Sequence, residues 1–83
     1  MNITTGSPVV LNFTRHQTHT VDIANTTWKI TVTQTRKDTW VTVKPQASTP
    51  VPGIKFDSFE SAIKHYRSEL LKDALSSISQ QYR

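Results

Sequence analysis

Apolar and polar residues alternate along the first half of the chain, a period of two that is typical of β-strands with one buried face. The alternation covers residues 8–14, 18–24, 27–35 and 39–44. It is most regular in the third run, where Trp28, Ile30 and Val32 are separated by polar residues. The first half of the chain is therefore predicted to form a β-sheet with one apolar and one polar face.

Short polar segments separate these runs and predict the turns. They lie at residues 15–17, 24–26 and 36–38. Asn25 supports the second of them, because Asn tolerates turn conformations. The two runs on either side of the third turn are predicted to pair as a hairpin over residues 27–44.

The second half of the chain has a different pattern. Three prolines and a glycine within 45–53 exclude a central strand or helix there and predict a loop. Residues 54–56 are predicted to form a short edge strand. Asp57 is a suitable helix N-cap and Glu60 follows three residues later, so a helix is predicted from 58 to about 80.

These elements predict an α+β fold, a four- or five-stranded, mostly antiparallel β-meander with one C-terminal α-helix packed across it. A chain of 83 residues is expected to form a single domain over 1–83. Its expected parts are a flexible N-terminus (1–7), the β-meander (8–44), the Pro-rich loop (45–53), and the edge strand with the C-terminal helix (54–83). The residues predicted to form the core are Val9, Leu11, Phe13, Val21, Ile23, Trp28, Ile30, Val32, Val41, Val43, Phe56, Phe59, Ile63, Tyr66 and Leu70.

The predicted helix carries two apolar stripes, about 100° apart around its axis. The first contains Phe59, Ile63, Tyr66, Leu70 and Ala74. The second contains Leu71, Leu75, Ile78 and Tyr82. Either both stripes form one broad surface on a helix that wraps a twisted sheet, or the first packs on the sheet and the second contacts another protein or a second copy.

The composition indicates the cellular compartment in which this domain is expected. The chain has no Cys, which fits a reducing compartment and excludes disulfides. Its first residues contain neither a basic start nor an apolar run, so no signal peptide is expected. No stretch approaches the ~20 apolar residues of a membrane span. The predicted location is cytoplasmic, with no membrane association.

Catalysis is not indicated by the residues present. Two glycines are too few for a phosphate-binding loop or a dinucleotide fingerprint. The serines of the predicted helix lack a His and an Asp arranged to activate them. His16 and His19, without any Cys, do not make a set of zinc ligands. We expect no enzyme, no metal site, no cofactor and no small-molecule substrate.

A formal net charge of +4 favours acidic partners, including nucleic acid. The polar face of the 27–44 hairpin would carry Lys29, Trp40 and Lys44, with Arg36 and Lys37 at its tip. Such a face could stack unpaired bases and neutralise the phosphates of single-stranded nucleic acid. In the alternative interpretation, Trp40 packs under the Pro-rich loop and the lysines are only solvated.

Protein binding is the other hypothesis, and the sequence favours it slightly over nucleic-acid binding. Small, basic, Cys-free chains with one sheet and one helix suit inhibitors and adaptors of the kind encoded by phages or mobile elements. The residues expected to contact the partner are those of the second stripe, Leu71, Leu75, Ile78 and Tyr82. The sequence therefore predicts a small non-enzymatic protein-binding inhibitor or adaptor, with a nucleic-acid-binding module as the alternative.

Overall fold

A computed structural model describes residues 2–46 and 52–82. The six strands are β1 (Ile3–Thr5), β2 (Val9–Leu11), β3 (Thr14–Ile23), β4 (Thr26–Gln34), β5 (Thr39–Gln46) and β6 (Ile54–Phe56). Two helices follow, α1 (Phe59–His65) and α2 (Glu69–Ser79), and a 3₁₀ turn over Gln80–Tyr82 ends the described chain. The α+β class is confirmed.

All strand pairs are antiparallel, and the strands lie in the order β1-β3-β4-β5-β6, with β2 also paired to β3. The antiparallel, meander-like sheet is therefore confirmed, as are the 27–44 hairpin and the short edge strand at 54–56, but six strands are described where four or five were predicted. The turn between β3 and β4 consists of Ala24 and Asn25, both with positive φ. Two such residues form the tight hairpin turn whose twist matches that of the strands.

The first predicted turn, at 15–17, is wrong. These residues lie inside β3, and the turn is instead made by Asn12 and Phe13, with φ of 52° and 63°. Polar residues continue a strand where both neighbours supply backbone partners, and β3 pairs with β2 on one side and β4 on the other. The shift moves the first strand to the sheet edge, so Val9, Leu11 and Phe13 are exposed rather than in the core.

The N-terminus also differs from the prediction, because Ile3–Thr5 form β1 rather than part of a flexible segment. Strands β1 and β2 lie along the same edge of β3. Three residues separate Thr5 from Val9, whereas only two separate their partners His19 and His16. The extra residue makes a β-bulge, a common device for interrupting an exposed edge.

The single predicted helix is in fact two. Ser58, not Asp57, caps α1 by accepting a hydrogen bond from the Ser61 backbone N–H, at 3.1 Å. Tyr66 then takes an extended conformation and ends α1. Ser68 starts α2 by accepting from the Leu71 N–H, at 3.3 Å. The chain changes direction between these two caps, which no Gly or Pro marks in the sequence.

The Pro-rich loop begins later than predicted. Strand β5 continues through Pro45 and Gln46, and Pro45 lies opposite Trp28. Strand β6 pairs only with Val41–Val43, so Pro45 lies where β5 has become an edge strand, a position that tolerates Pro. Of the remaining loop, residues 47–51 lie outside the described residues.

Both helices pack on one face of the sheet, with α1 against β5 and β6 and α2 against β3. The core cluster between the layers contains Val21, Ile23, Ile30, Val32, Val41, Val43, Phe56, Ala62, Leu71, Ala74, Leu75 and Ile78. Trp28, Phe59, Ile63 and Tyr66 are partly buried against it. Most of the predicted core is therefore correct from β3 onwards.

The stripe predicted as a partner contact forms the centre of this core. Leu71, Leu75 and Ile78 have at most 1 % of their surface exposed, and Tyr82 is partly buried. Leu70, assigned to the sheet-facing stripe, is 52 % exposed instead. The break after α1 resets the helical phase, so the second stripe faces the sheet and a partner contact through those leucines is wrong.

Candidate functional site

One face of the sheet carries the helices, and the other is here named the outer face. Partners in an antiparallel register share a face, so this face follows from the strand pairing. Its residues come from β1 (Thr4), β2 (Val9, Leu11), β3 (Thr14, His16, Thr18, Thr20, Asp22), β4 (Thr27, Lys29, Thr31, Thr33), β5 (Trp40, Thr42, Lys44, Gln46) and β6 (Lys55). No described helix packs on it, since both helices contact the opposite side.

Two lysines lie directly opposite each other on the outer face. Lys29 of β4 pairs with Lys44 of β5, and both side chains are exposed. Like charges in directly opposed positions destabilise a sheet. The acidic residue of this region, Asp22, accepts a hydrogen bond from Thr27 at 2.7 Å. The lysine pair is therefore a positive site that fold stability does not explain.

Lysine and hydroxyl groups continue across the neighbouring positions. Lys29 has Thr20 as its partner on β3, and Thr42 lies between Thr31 on β4 and Lys55 on β6. Hydroxyl groups both donate and accept hydrogen bonds, and ammonium groups donate three. This part of the outer face can therefore bind an anion with several oxygens.

An aromatic site lies at the other end of the outer face. Trp40 is partly exposed, and the Lys55 Nζ lies 4.7 Å from its ring centroid. Beside Trp40, Thr33 is nearly buried and shares a 3.1 Å hydrogen bond with the Nδ1 of His16. A cleft of about 290 Å³ borders the ring and is lined by Asp38, Thr39, Trp40, Lys55 and Asp57.

The predicted nucleic-acid residues separate into two groups. Lys29, Trp40 and Lys44 share the outer face as expected, whereas Arg36 and Lys37 are at the β4–β5 turn. There the guanidinium of Arg36 lies 4.8 Å from the ring centroid of Phe13. Lys55 was missed, although its place beside the buried Phe56 in a short strand is the signal that puts it on the opposite face.

The chain matches no protein-family model, no curated protein and no solved structure. Among residues 2–46 and 52–82, no group of three potential metal ligands is found. Within the same residues, no helix has the length and apolar character needed to cross a bilayer.

A second polar cluster lies on the helix-bearing side of the sheet. His19 is fully buried; its Nδ1 is 3.1 Å from the hydroxyl of Thr5, and its Nε2 is hydrogen-bonded to the hydroxyl of Tyr82. Tyr82 donates to Gln17 at 3.0 Å, and Gln17 also accepts from Arg15. Since the Tyr82 proton goes to Gln17, His19 donates from Nε2 and accepts at Nδ1, as a neutral ring. The cluster ties the C-terminal turn to β3.

Stability is expected to fall as the pH is lowered through about 6.5, the ordinary value for His. Burial, helped by the positive charge of Arg15, lowers the pKa of His19. The unfolded chain then binds a proton that the folded chain excludes, so the free energy of unfolding decreases as pH falls below 6.5 and levels off below the folded pKa.

Urea unfolding between pH 5 and 8 measures this dependence. His19→Gln should lose much of the decrease, whereas His65→Gln, at an exposed position of α1, should retain it. An equal decrease in wild type and in His19→Gln would show that His19 is not the group responsible.

An apolar hairpin forms the third notable surface, and three of its residues, Val9, Leu11 and Phe13, were predicted to lie in the core. Val9, Val10, Leu11 and Phe13 are 60–78 % exposed. Phe13 also has a positive φ, which is rare for a bulky residue and costs on the order of 1 kcal/mol or more. Contiguous exposed apolar groups of this size mark interaction surfaces.

Proposed function

We propose that this chain is a small non-enzymatic binding domain whose outer face binds single-stranded nucleic acid. The observation that supports this best is the directly opposed pair Lys29 and Lys44, on the same open face as Trp40 and Lys55. A stability-driven sheet surface would separate the two lysines or give each a carboxylate partner. A phosphate between them removes the repulsion and so favours binding.

The lysine end of the outer face suits the backbone of the strand. Lys29 and Lys44 lie beside Thr31 and Thr42, so ammonium and hydroxyl donors share this region, while Lys55, opposite Thr42, extends its Nζ over the Trp40 ring. Such contacts bind phosphates without reading sequence. If three phosphates of a single strand are neutralised, the binding constant should fall with about the second power of the salt concentration.

The Trp40 end suits a base. Stacking on an aromatic ring is worth about 1–3 kcal/mol per base and tolerates any sequence. Asp38 and Asp57 line the adjacent cleft, where their carboxylates repel phosphate but can accept from the exocyclic amino group of a base. Base and phosphate are thereby assigned to different ends of the same face.

The role of inhibitor or adaptor of another protein is the second candidate. The second helix stripe no longer favours it, because Leu71, Leu75 and Ile78 are buried in the core. The exposed β2–β3 hairpin favours it instead, since Val9 and Leu11 are exposed on its outer face and Val10 on the opposite face. A cytoplasmic location and a non-enzymatic role remain predictions in both cases.

Fluorescence anisotropy with a labelled oligonucleotide of about 12 nucleotides tests the nucleic-acid proposal. At low salt we expect binding with a Kd of about 1–100 µM, weakening steeply as salt is added. Trp40→Ala should weaken binding by about fivefold or more, while Trp40→Phe, which keeps an aromatic ring, should retain most of it. Melting curves of both variants control for folding, because Trp40 is partly buried.

No binding by wild type at about 100 µM protein and low salt would remove the proposal. Equal binding by Trp40→Ala and wild type would remove the stacking role and leave only the lysines.

A further inference from the structure

The open edge of β2 has backbone groups free to pair with another strand. A two-residue turn is closed by a pair that exchanges both backbone hydrogen bonds, here Leu11 and Thr14. The next pair, Val10 and Arg15, therefore makes no mutual bonds. The N–H and C=O of Val10 consequently point away from β3, and no described strand pairs with that side of β2.

We propose that β2 pairs antiparallel with β2 of a second copy, about a two-fold axis at Val10. In this register Val10 faces its own counterpart and exchanges two backbone hydrogen bonds with it, while Val9 of each copy faces Leu11 of the other. All three cross-strand pairs are then apolar. The same sequence thus satisfies both sides of the contact, as a two-fold interface requires.

The size of the apolar surface fits a dimer of moderate affinity. Four side chains that are 60–78 % exposed present roughly 400–500 Å² per copy, so pairing can remove at most about 800–1,000 Å², at or below the low end of specific interfaces. The bulge before β2 and the turn after Leu11 confine the pairing to three residues. Self-association is therefore expected at micromolar concentrations and above.

Electrostatics near β2 permit this contact. The strand itself has no charged residue, and its charged neighbour Arg15 is hydrogen-bonded to Gln17 and Gln34, at 3.0 Å in each case. The net charge of +4 opposes association of two copies, and salt screens this repulsion. Dimerisation should consequently strengthen with salt, whereas nucleic-acid binding weakens. The dimer and the nucleic-acid site are independent proposals, and their opposite responses to salt distinguish them.

The consequence of this register is a continuous sheet through both copies. A two-fold axis between antiparallel strands of one sheet is perpendicular to it, so both outer faces lie on the same side. The dimer would present two Lys29–Lys44 pairs and two Trp40 rings on one extended surface.

Sedimentation velocity on the full chain tests the proposal. Concentrations from about 5 to 500 µM span the range in which a dimer with an interface of this size is expected to form and dissociate. Wild type should move towards twice its 9.4 kDa monomer mass as concentration rises. Val10→Glu and Val10→Lys should each associate at least about tenfold more weakly, because like charges would meet at the axis. An equimolar mixture of these two variants should regain association, since Glu then faces Lys.

Two further variants keep the test decisive. Leu70→Lys changes a similarly exposed side chain on α2 and should dimerise like wild type. Val10→Pro removes the N–H aimed at the second copy without removing a bond to β3, and should remain monomeric while melting near the wild-type temperature. A wild type that stays monomeric throughout overturns the proposal and leaves β2 to a foreign protein. A mixture that fails to associate where wild type does overturns the two-fold register.

Discussion

Changing Leu75 and Ile78 together to Lys is expected to unfold the domain. Both side chains have no exposed surface and lie in the cluster between α2 and the sheet. Burying an unpaired ammonium costs several kcal/mol, and each change also removes a buried aliphatic group worth about 2–5 kcal/mol. Two such changes equal or exceed the ~5–15 kcal/mol that stabilises a typical domain.

Circular dichroism and thermal melting measure this effect. Leu70→Lys with Ser77→Lys is the matched control, since it adds the same charge to the same helix at exposed positions. The control should melt within a few degrees of wild type. A cooperative melt of the Leu75 and Ile78 variant at the wild-type temperature would show that this stripe is free to bind a partner, as the sequence had indicated.

The central hairpin could be predicted because its strands carry the same two-residue period on both sides of a polar turn. Trp28, Ile30 and Val32 of β4 face Val41 and Val43 of β5 or the helices, as alternation requires. The first strand was placed wrongly for a physical reason. Val9, Leu11 and Phe13 alternate as regularly as buried residues do, and alternation does not reveal that Val9 and Leu11 lie opposite His16 and Thr14, on the face that no described helix covers.

The helix break could not be predicted from periodicity or from breaker residues. Tyr66, Arg67 and Ser68 can all continue a helix, and Ser68 serves as a cap only because packing turns the chain there. A shift in helical phase then exchanged the roles of Leu70 and Leu71. Tertiary packing, which a single sequence does not display, decided which stripe faced the sheet.

The candidate site was only partly visible in the sequence. Lys29, Trp40 and Lys44 were placed on one face by the period of two, and the register keeps them there. Lys55 reaches this face because β6 pairs with β5, and this pairing could not be predicted across the loop that separates the two strands. Arg36 was expected to serve the same face, but its guanidinium packs over Phe13, a contact between two turns distant in sequence.

Charge reversal of the lysine pair is expected to have the largest effect on nucleic-acid binding. Lys29→Glu with Lys44→Glu replaces two phosphate contacts by two repulsive carboxylates, so the Kd should rise by at least about tenfold and the salt dependence should nearly vanish. Lys64→Glu with Arg67→Glu is the matched control. It makes the same change in net charge, from +4 to zero, at exposed positions of the helical layer.

Anisotropy titrations of wild type and these two variants, in parallel and at one low salt concentration, test the outer-face proposal most directly. We expect the Lys29 and Lys44 variant to lose binding, while the Lys64 and Arg67 variant stays within about threefold of wild type. An equal loss in both variants would mean that the oligonucleotide responds only to net charge, and would contradict a site on the outer face.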